Sequence, residues 1–255
     1  MKLTLKTALL SAIAGMLCVA TNASAASSTT VGFDGGSDGG FIGNAFFEAT
    51  GGNPDGSAHH LVQAFGVSLR TGGEGEPAND AFLGDYSQYN SVTISFDIKV
   101  NSITDFIGNE LPRAIGISLI DRDVQGPSGP AGVFFEMGVV SADLTSEWTT
   151  LTAIIEDTSS IGLPNGWVGF GDEDPNTFEP ILPDGATFAS VLASVDQFEI
   201  TTLVPGFFFT FANYDVRIDN VSIKGVASPV PLPGAVWLFG AATAFLAGWR
   251  RRPAA

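Results

Sequence analysis

The chain is poor in several residue types, and each shortage excludes something. Of its 255 residues one is cysteine, Cys18, and two are histidine, His59 and His60. Cys18 lies within an export-type leader. Lys2 and Lys6 form its positive end, Ala8 to Ala20 its apolar run, and Ala23-Ser24-Ala25 a small-residue cleavage site for signal peptidase. Cleavage after Ala25 removes the thiol, so disulfides, thiolate catalysis and Cys-ligated metals are excluded from the mature chain. Basic residues are also few: 11 Lys and Arg against 27 Asp and Glu. Five of the 11 lie in the terminal segments, as Lys2, Lys6, Arg250, Arg251 and Arg252, which leaves residues 26–227 with six against 27, a charge of −21. Such a domain repels nucleic acid and anionic membranes and favours solubility or divalent cations.

Catalytic signatures are missing as well. There is no Gly-x-Ser-x-Gly elbow, no His-Glu-x-x-His helix and no phosphate loop; Gly35-GSDGG lacks the Lys-Ser/Thr ending. His59 and His60 are adjacent, so on a strand they point to opposite faces and serve structure rather than a shared metal. Long amphipathic helical patterns are absent, with only Phe188 to Ser194 suggesting a short helix. What is present is strand. In Val92-TISFDIKV, Val92, Ile94, Phe96, Ile98 and Val100 alternate with Thr93, Ser95, Asp97 and Lys99. Further strands are expected at 114–120, 133–140, 149–155, 197–202, 207–211 and 216–224, with weaker ones at 45–49 and 61–69. Turn chemistry separates them, as in Gly51-GNPDG, Gly72-GEGEP and Asp172-EDPN. The expectation is one all-β domain, an antiparallel β-sandwich over residues 26–227.

The C-terminus has three parts in a fixed order: prolines at 229, 231 and 233, an uncharged apolar run from Ala235 to Trp249, and Arg250 to Arg252. As a helix the 15-residue run spans roughly 22 Å, short of the roughly 30 Å hydrocarbon core. The arginines favour the cytoplasmic side. Val230-PLPGAVWLFG followed by Trp249-RRR resembles the PEP-CTERM sorting signal of exported bacterial proteins, with Pro231-Leu232-Pro233 standing where the family has Pro-Glu-Pro. The resemblance implies recognition by an exosortase, a membrane-embedded cysteine transpeptidase, and removal of the helix near the prolines. The expected order is therefore a signal peptide at 1–25, a sandwich at 26–227 and a sorting signal with a short transmembrane helix at 228–255. The protein would be anchored transiently in the inner membrane, then reach the cell surface or extracellular matrix.

The strand Val216-RIDNVSIKG changes phase. Val216 and Ile218 set one register and Val221 and Ile223 the other, so a bulge is expected at Asp219-Asn220. This stretch resembles the closing strand of jelly-roll carbohydrate-binding modules, while Gly51-GNPDG and Phe82-LGDYSQYNSVTISFDIKV resemble laminin-B-like domains. The first resemblance implies a structural calcium at Asp219, with Asp34 or Glu48 as its acidic partner. Among other acidic loops, Asp121-Arg-Asp123 begins like a calcium loop, with Gly126 at position six but Gly132 in place of the bidentate Glu at position twelve. Asp172-Glu173-Asp174 reads as a solvated turn. For sugar stacking, Trp167 in Gly162-LPNGWVGF is expected on a loop, with Tyr86 and Tyr89 beside a turn; Trp148 is expected to pack at a strand entrance. These residues point to a non-enzymatic surface or matrix protein that binds exopolysaccharide. The alternatives are a secreted glycan-active enzyme with paired carboxylates and a self-associating matrix component.

Overall fold

The computed structural model describes residues 26–227 of the chain. The cleavage site at Ala23 and Ala25, the prolines at 231 and 233 with Leu232, the apolar run and Arg250 to Arg252 lie outside the described residues. Among the described residues no helix is long and apolar enough to cross a membrane.

In chain order the strands are β1 (Ala26–Val31), β2 (Ile42–Gly43), β3 (Phe46–Glu48), β4 (Ser57–Ala64), β5 (Ser68–Gly72), β6 (Tyr89–Thr104) and β7 (Arg113–Gly126). They continue with β8 (Gly129–Val140), β9 (Thr149–Ile155), β10 (Trp167–Phe170), β11 (Asp172–Glu173), β12 (Pro180–Ile181), β13 (Gln197–Thr201) and β14 (Ala212–Ala227). Two short helices, α1 (Ala142–Thr145) and α2 (Phe188–Leu192), complete the described elements of regular length. The first sheet runs β3-β4-β14-β6-β9 with β1 also on β14, and the second runs β10-β8-β7-β13-β5-β2. All the registered pairings are antiparallel. The protein is an all-β sandwich.

The alternation in the Val92 stretch survives as β6, where Val92, Ile94, Phe96, Ile98 and Val100 are all fully buried. They meet Ile115, Ile117 and Leu119 of β7 and Phe198 and Ile200 of β13 in one core. Beneath it Phe41, Phe82 and Phe198 form a mutual aromatic cluster, with ring centroids 5.2 to 6.2 Å apart. Each such contact adds about 0.5–1.5 kcal/mol beyond area burial. At α2, Thr187 and Ser190 form a reciprocal capping box, which fixes where the short helix starts.

Two strand expectations are corrected. The 61–69 stretch is split between β4 and β5, because the chain turns at Phe65-Gly66-Val67. The 207–211 stretch forms no strand before β14. It follows Pro205 and Gly206, whose φ is 79°, and Phe207 and Phe208 stand 70% and 99% exposed. Their apolar character, read as strand, belongs to a surface loop.

The expected bulge is present. Asp219 pairs with Asp97 and Ser222 with Ser95, so β14 has one residue more than β6 between those pairs. Asn220 absorbs the extra step in the left-handed region, at φ 49°. The bulge also falls where β14 exchanges neighbours, from β4 along Ala212 to Ile218 to β1 along Val221 to Val226.

Candidate functional site

Three strands of the second sheet combine into a polar groove. On β5, β13 and β7 the inward turn of Leu69, Phe198, Ile200, Ile117 and Leu119 sends Arg70, Gln197, Glu199 and Ser118 to the outer face. Glu199 lies opposite Arg70 on one side and Ser118 on the other. Ser68 Oγ donates to Glu199 Oε1 at 2.5 Å, and Gln197 Nε2 donates to Glu199 Oε2 at 3.3 Å. Arg122 Nη2 and Nε donate to Gln197 Oε1 at 2.5 and 3.2 Å. At the rim Arg70 Nη2 meets Glu76 Oε1 at 3.4 Å. Burial pushes the Glu199 carboxyl up, opposed by the Ser68 hydrogen bond and the Arg70 and Arg122 charges. Two adjoining depressions of about 460 and 400 Å³ share Glu74 and Arg122. Planar donors and acceptors therefore line a face that holds two of the domain's six basic residues. That chemistry suits a ligand rich in hydroxyls.

The floor continues with a different character. Ser118 is followed across the sheet by Phe134 and Val168, and the Phe134 ring lies so close over Gly116 that a Cβ there would stand 2.6 Å from it. Sequence reading passed over Arg70, Arg122, Gln197 and Glu199. The signal was a polar phase in otherwise apolar strands, but no local motif joins residues so far apart in the chain.

At the bulge, Asp219 is fully buried. It accepts from Asn53 N at 2.5 Å and from Asn220 N at 2.7 Å. Asp97 lies alongside, taking Asn53 Nδ2 at 3.0 Å, Asn220 Nδ2 at 2.9 Å and Thr150 Oγ1 at 2.5 Å. Burial, then the charges of Asp97 and Asp34, push Asp219 up to about 6. Asp97 and Asp219 are held by neutral donors, and Asp97 Oδ2 already takes two of them, while Asp34 acts on Asp219 through its charge. Glu48 does not join them. It meets Arg217 Nη1 at 2.8 Å and His59 Nδ1 at 3.0 Å, and those partners hold its carboxyl below the usual range, His59 most strongly. Expected as the acidic partner of Asp219, Glu48 is engaged instead in an ion pair with Arg217 and His59.

His59 and His60 do point apart. His59 Nε2 reaches Asp215 Oδ1 at 2.8 Å, whereas His60 is fully buried with Nδ1 on Asn44 Oδ1 at 2.9 Å. Burial lowers His60 to about 3. Asp121 and Asp123 gather with Asp196, their carboxylate oxygens within 4.8 Å of one another. Gly132 at loop position twelve is instead a residue of β8. Asp174 accepts from Asn176 N and Thr177 N at 2.7 and 3.1 Å, which makes the acidic stretch a hairpin turn.

Trp167 is on β10, not on a loop, and is 6% exposed. Phe135 and Phe188 pack against it at centroid distances of 5.2 and 5.1 Å, so the indole belongs to the core and reaches only the edge of a neighbouring cavity of about 530 Å³. Tyr86 is buried with Oη donating to Phe82 O at 2.7 Å. Tyr89 is half-buried, its ring where a Cβ on Gly225 would stand. Both tyrosines line a small pocket of about 190 Å³ with Asp80 and Gln88.

No family model matches the chain, and neither does any curated protein. Solved structures of similar strand arrangement include the C-terminal family 22 carbohydrate binding module of Clostridium thermocellum Xyn10B, at TM-score 0.39 and 11% identity over 80% of this chain and 96% of that one. An exo-beta-agarase gives 0.45 and 14% over 80% of this chain and 26% of its own. The L4b domain of human laminin alpha-2 gives 0.33 and 14% over 62% and 80%. At these scores the likenesses carry no argument about activity.

Proposed function

We propose that this is an exported, non-catalytic glycan-binding protein whose jelly-roll-type sandwich takes a neutral polysaccharide in the groove of β5, β13 and β7. The observation that carries the reading is the Arg122–Gln197–Glu199–Ser68 array on the outer face of β5, β13 and β7, with Gln197 buried beneath the exposed Arg122. Arg70 and Arg122 offer forked donors and Glu199 an acceptor, the complement of adjacent sugar hydroxyls. The −21 charge disfavours anionic polymers. Binding is preferred to catalysis because the two carboxylates beside Arg70 are already engaged, Glu199 with Ser68 and Gln197, Glu76 with Arg70 itself. A calcium ion at Asp219, Asp97 and Asp34 would pin the β14 bulge. Signal peptidase and an exosortase would process the ends, leaving the domain at the cell surface or in the matrix.

Affinity electrophoresis in neutral glucan, xylan and galactan gels tests the groove. Hydrogen bonds to charged groups contribute about 1.5–3 kcal/mol, so Arg122→Ala and Glu199→Gln should each weaken retention by roughly tenfold or more, with an unchanged melting temperature as control. Trp167→Ala should act through stability instead. Equal retention of both groove variants, or no retention of the wild type, ends the proposal.

A further inference from the structure

Seven phenylalanines are exposed among the described residues, and six of them gather at one end of the sandwich: Phe65, Phe106, Phe178, Phe207, Phe208 and Phe211. The pairings explain why. Ala64 faces Ala212, Thr104 faces Asn213, and Ser68 faces Thr201, so loops 65–67, 105–112 and 202–211 leave the sheets on the same side. Phe65 stacks on Phe211 at a centroid distance of 3.9 Å. Asn213 Nδ2 donates to Asp105 O at 3.3 Å, and Arg113 Nη2 to Thr210 O at 3.0 Å. Phe178 is brought to the same loop where Pro180 packs on Gly206, leaving 2.8 Å for a Cβ.

From this we infer that the loop end is a docking face for a second copy of the chain, joined head to head. Area is the first argument. The bare fractions of these six rings amount to roughly 800 Å² at about 200 Å² per aromatic side chain. That equals one partner's share of a standard interface and exceeds the few hundred Å² a monomer usually leaves open. Charge is the second. Asp105 is turned into its own loop, accepting from Ile107 N and Asn109 N at 2.9 Å each, and Arg113 is held by Thr210 and Tyr214. The face thus offers no free cation to an anionic lipid and lacks the Lys and Arg that accompany the aromatic residues of an interfacial membrane anchor. Phenylalanine also has no polar edge for sugar hydroxyls. The third argument is where the chain leaves. Ala26 pairs with Val226, so both described ends lie at the opposite pole, about 50 Å away along the 16 residues of β14. A two-fold contact through the loops therefore sends the two pairs of chain ends outward in opposite directions.

Sedimentation velocity of the whole protein between 1 and 200 µM (an order-of-magnitude micromolar window) tests this against Phe207→Ser/Phe208→Ser. Both side chains are largely in solvent, so the fold and glycan retention should not change. The expected result is a wild-type dimer that tightens several-fold from low to high salt, because screening removes repulsion between like-charged domains. The double variant should dissociate at least tenfold more readily. A wild type monomeric throughout overturns the inference. So does association that survives the double substitution, which would assign it to the apolar run at 235–249. Flotation of the wild type, but not the variant, with phosphatidylcholine vesicles would assign the face to lipid.

Discussion

Replacing Asp219 by Asn separates the charge of this buried carboxylate from its shape. Burial and the neighbouring Asp97 and Asp34 raise it from 3.8 to about 6. The folded chain then holds this proton more tightly than the unfolded chain does, so stability falls as pH rises through 3.8 to 6 and is level above. At 1.36 kcal/mol per unit, the ionised group costs the fold about 3 kcal/mol at neutral pH. Acidifying from pH 7.5 to 4 should return about 2 kcal/mol of it. Asp219→Asn lacks this term, but its new Nδ2 confronts the N–H of Asn53 or Asn220, at a cost of about 1–3 kcal/mol. At a single pH the two effects nearly cancel; their pH dependence does not. Urea unfolding of both proteins in chelator should therefore show a stability difference that shifts by about 2 kcal/mol in favour of wild type between pH 7.5 and 4. Parallel curves would refute the reasoning. Calcium at a hundredfold excess over its dissociation constant should add about 2.7 kcal/mol to wild type at pH 7.5 and little to the variant. Equal melting temperatures in calcium and chelator would remove the ion from the proposal.

Other outcomes are expected. Lowered to about 3 by burial, His60 contributes stability that is lost as pH falls from 6.5 towards 3, and its imidazole NMR signals should stay unshifted between pH 7 and 5; titration near 6.5 would show an open site. Gly52→Ala drives a Cβ to 1.6 Å from Gly56 O and 2.7 Å from Asp219 Oδ2, so it should cost more than about 2 kcal/mol and weaken any cation effect. Protein from its native host should end near residues 229–234 by intact mass, and a full-length C-terminus through Ala255 would contradict processing by an exosortase.

Local periodicity was enough for much of the fold. In β6 the period of two was legible because one face meets the core and the other does not. The bulge at Asp219-Asn220 was legible too, since a phase change within one strand must be absorbed where it occurs. The same local reasoning failed at residues 207–211, where aromatic content stood for strand although Gly206 turns the chain and β14 begins only at Ala212. It failed again at Trp167, whose fate depended on Phe135 and Phe188 arriving from β8 and α2. Arg70, Arg122, Gln197 and Glu199 come from three strands separated by long connections, so only sheet order makes them neighbours. Glu48 was taken by His59 and Arg217 for the same reason: pairing of β3 with β4 and of β4 with β14 decides which charges meet. What a strand buries follows from its own residues, but what its outer face confronts is set by the strands beside it.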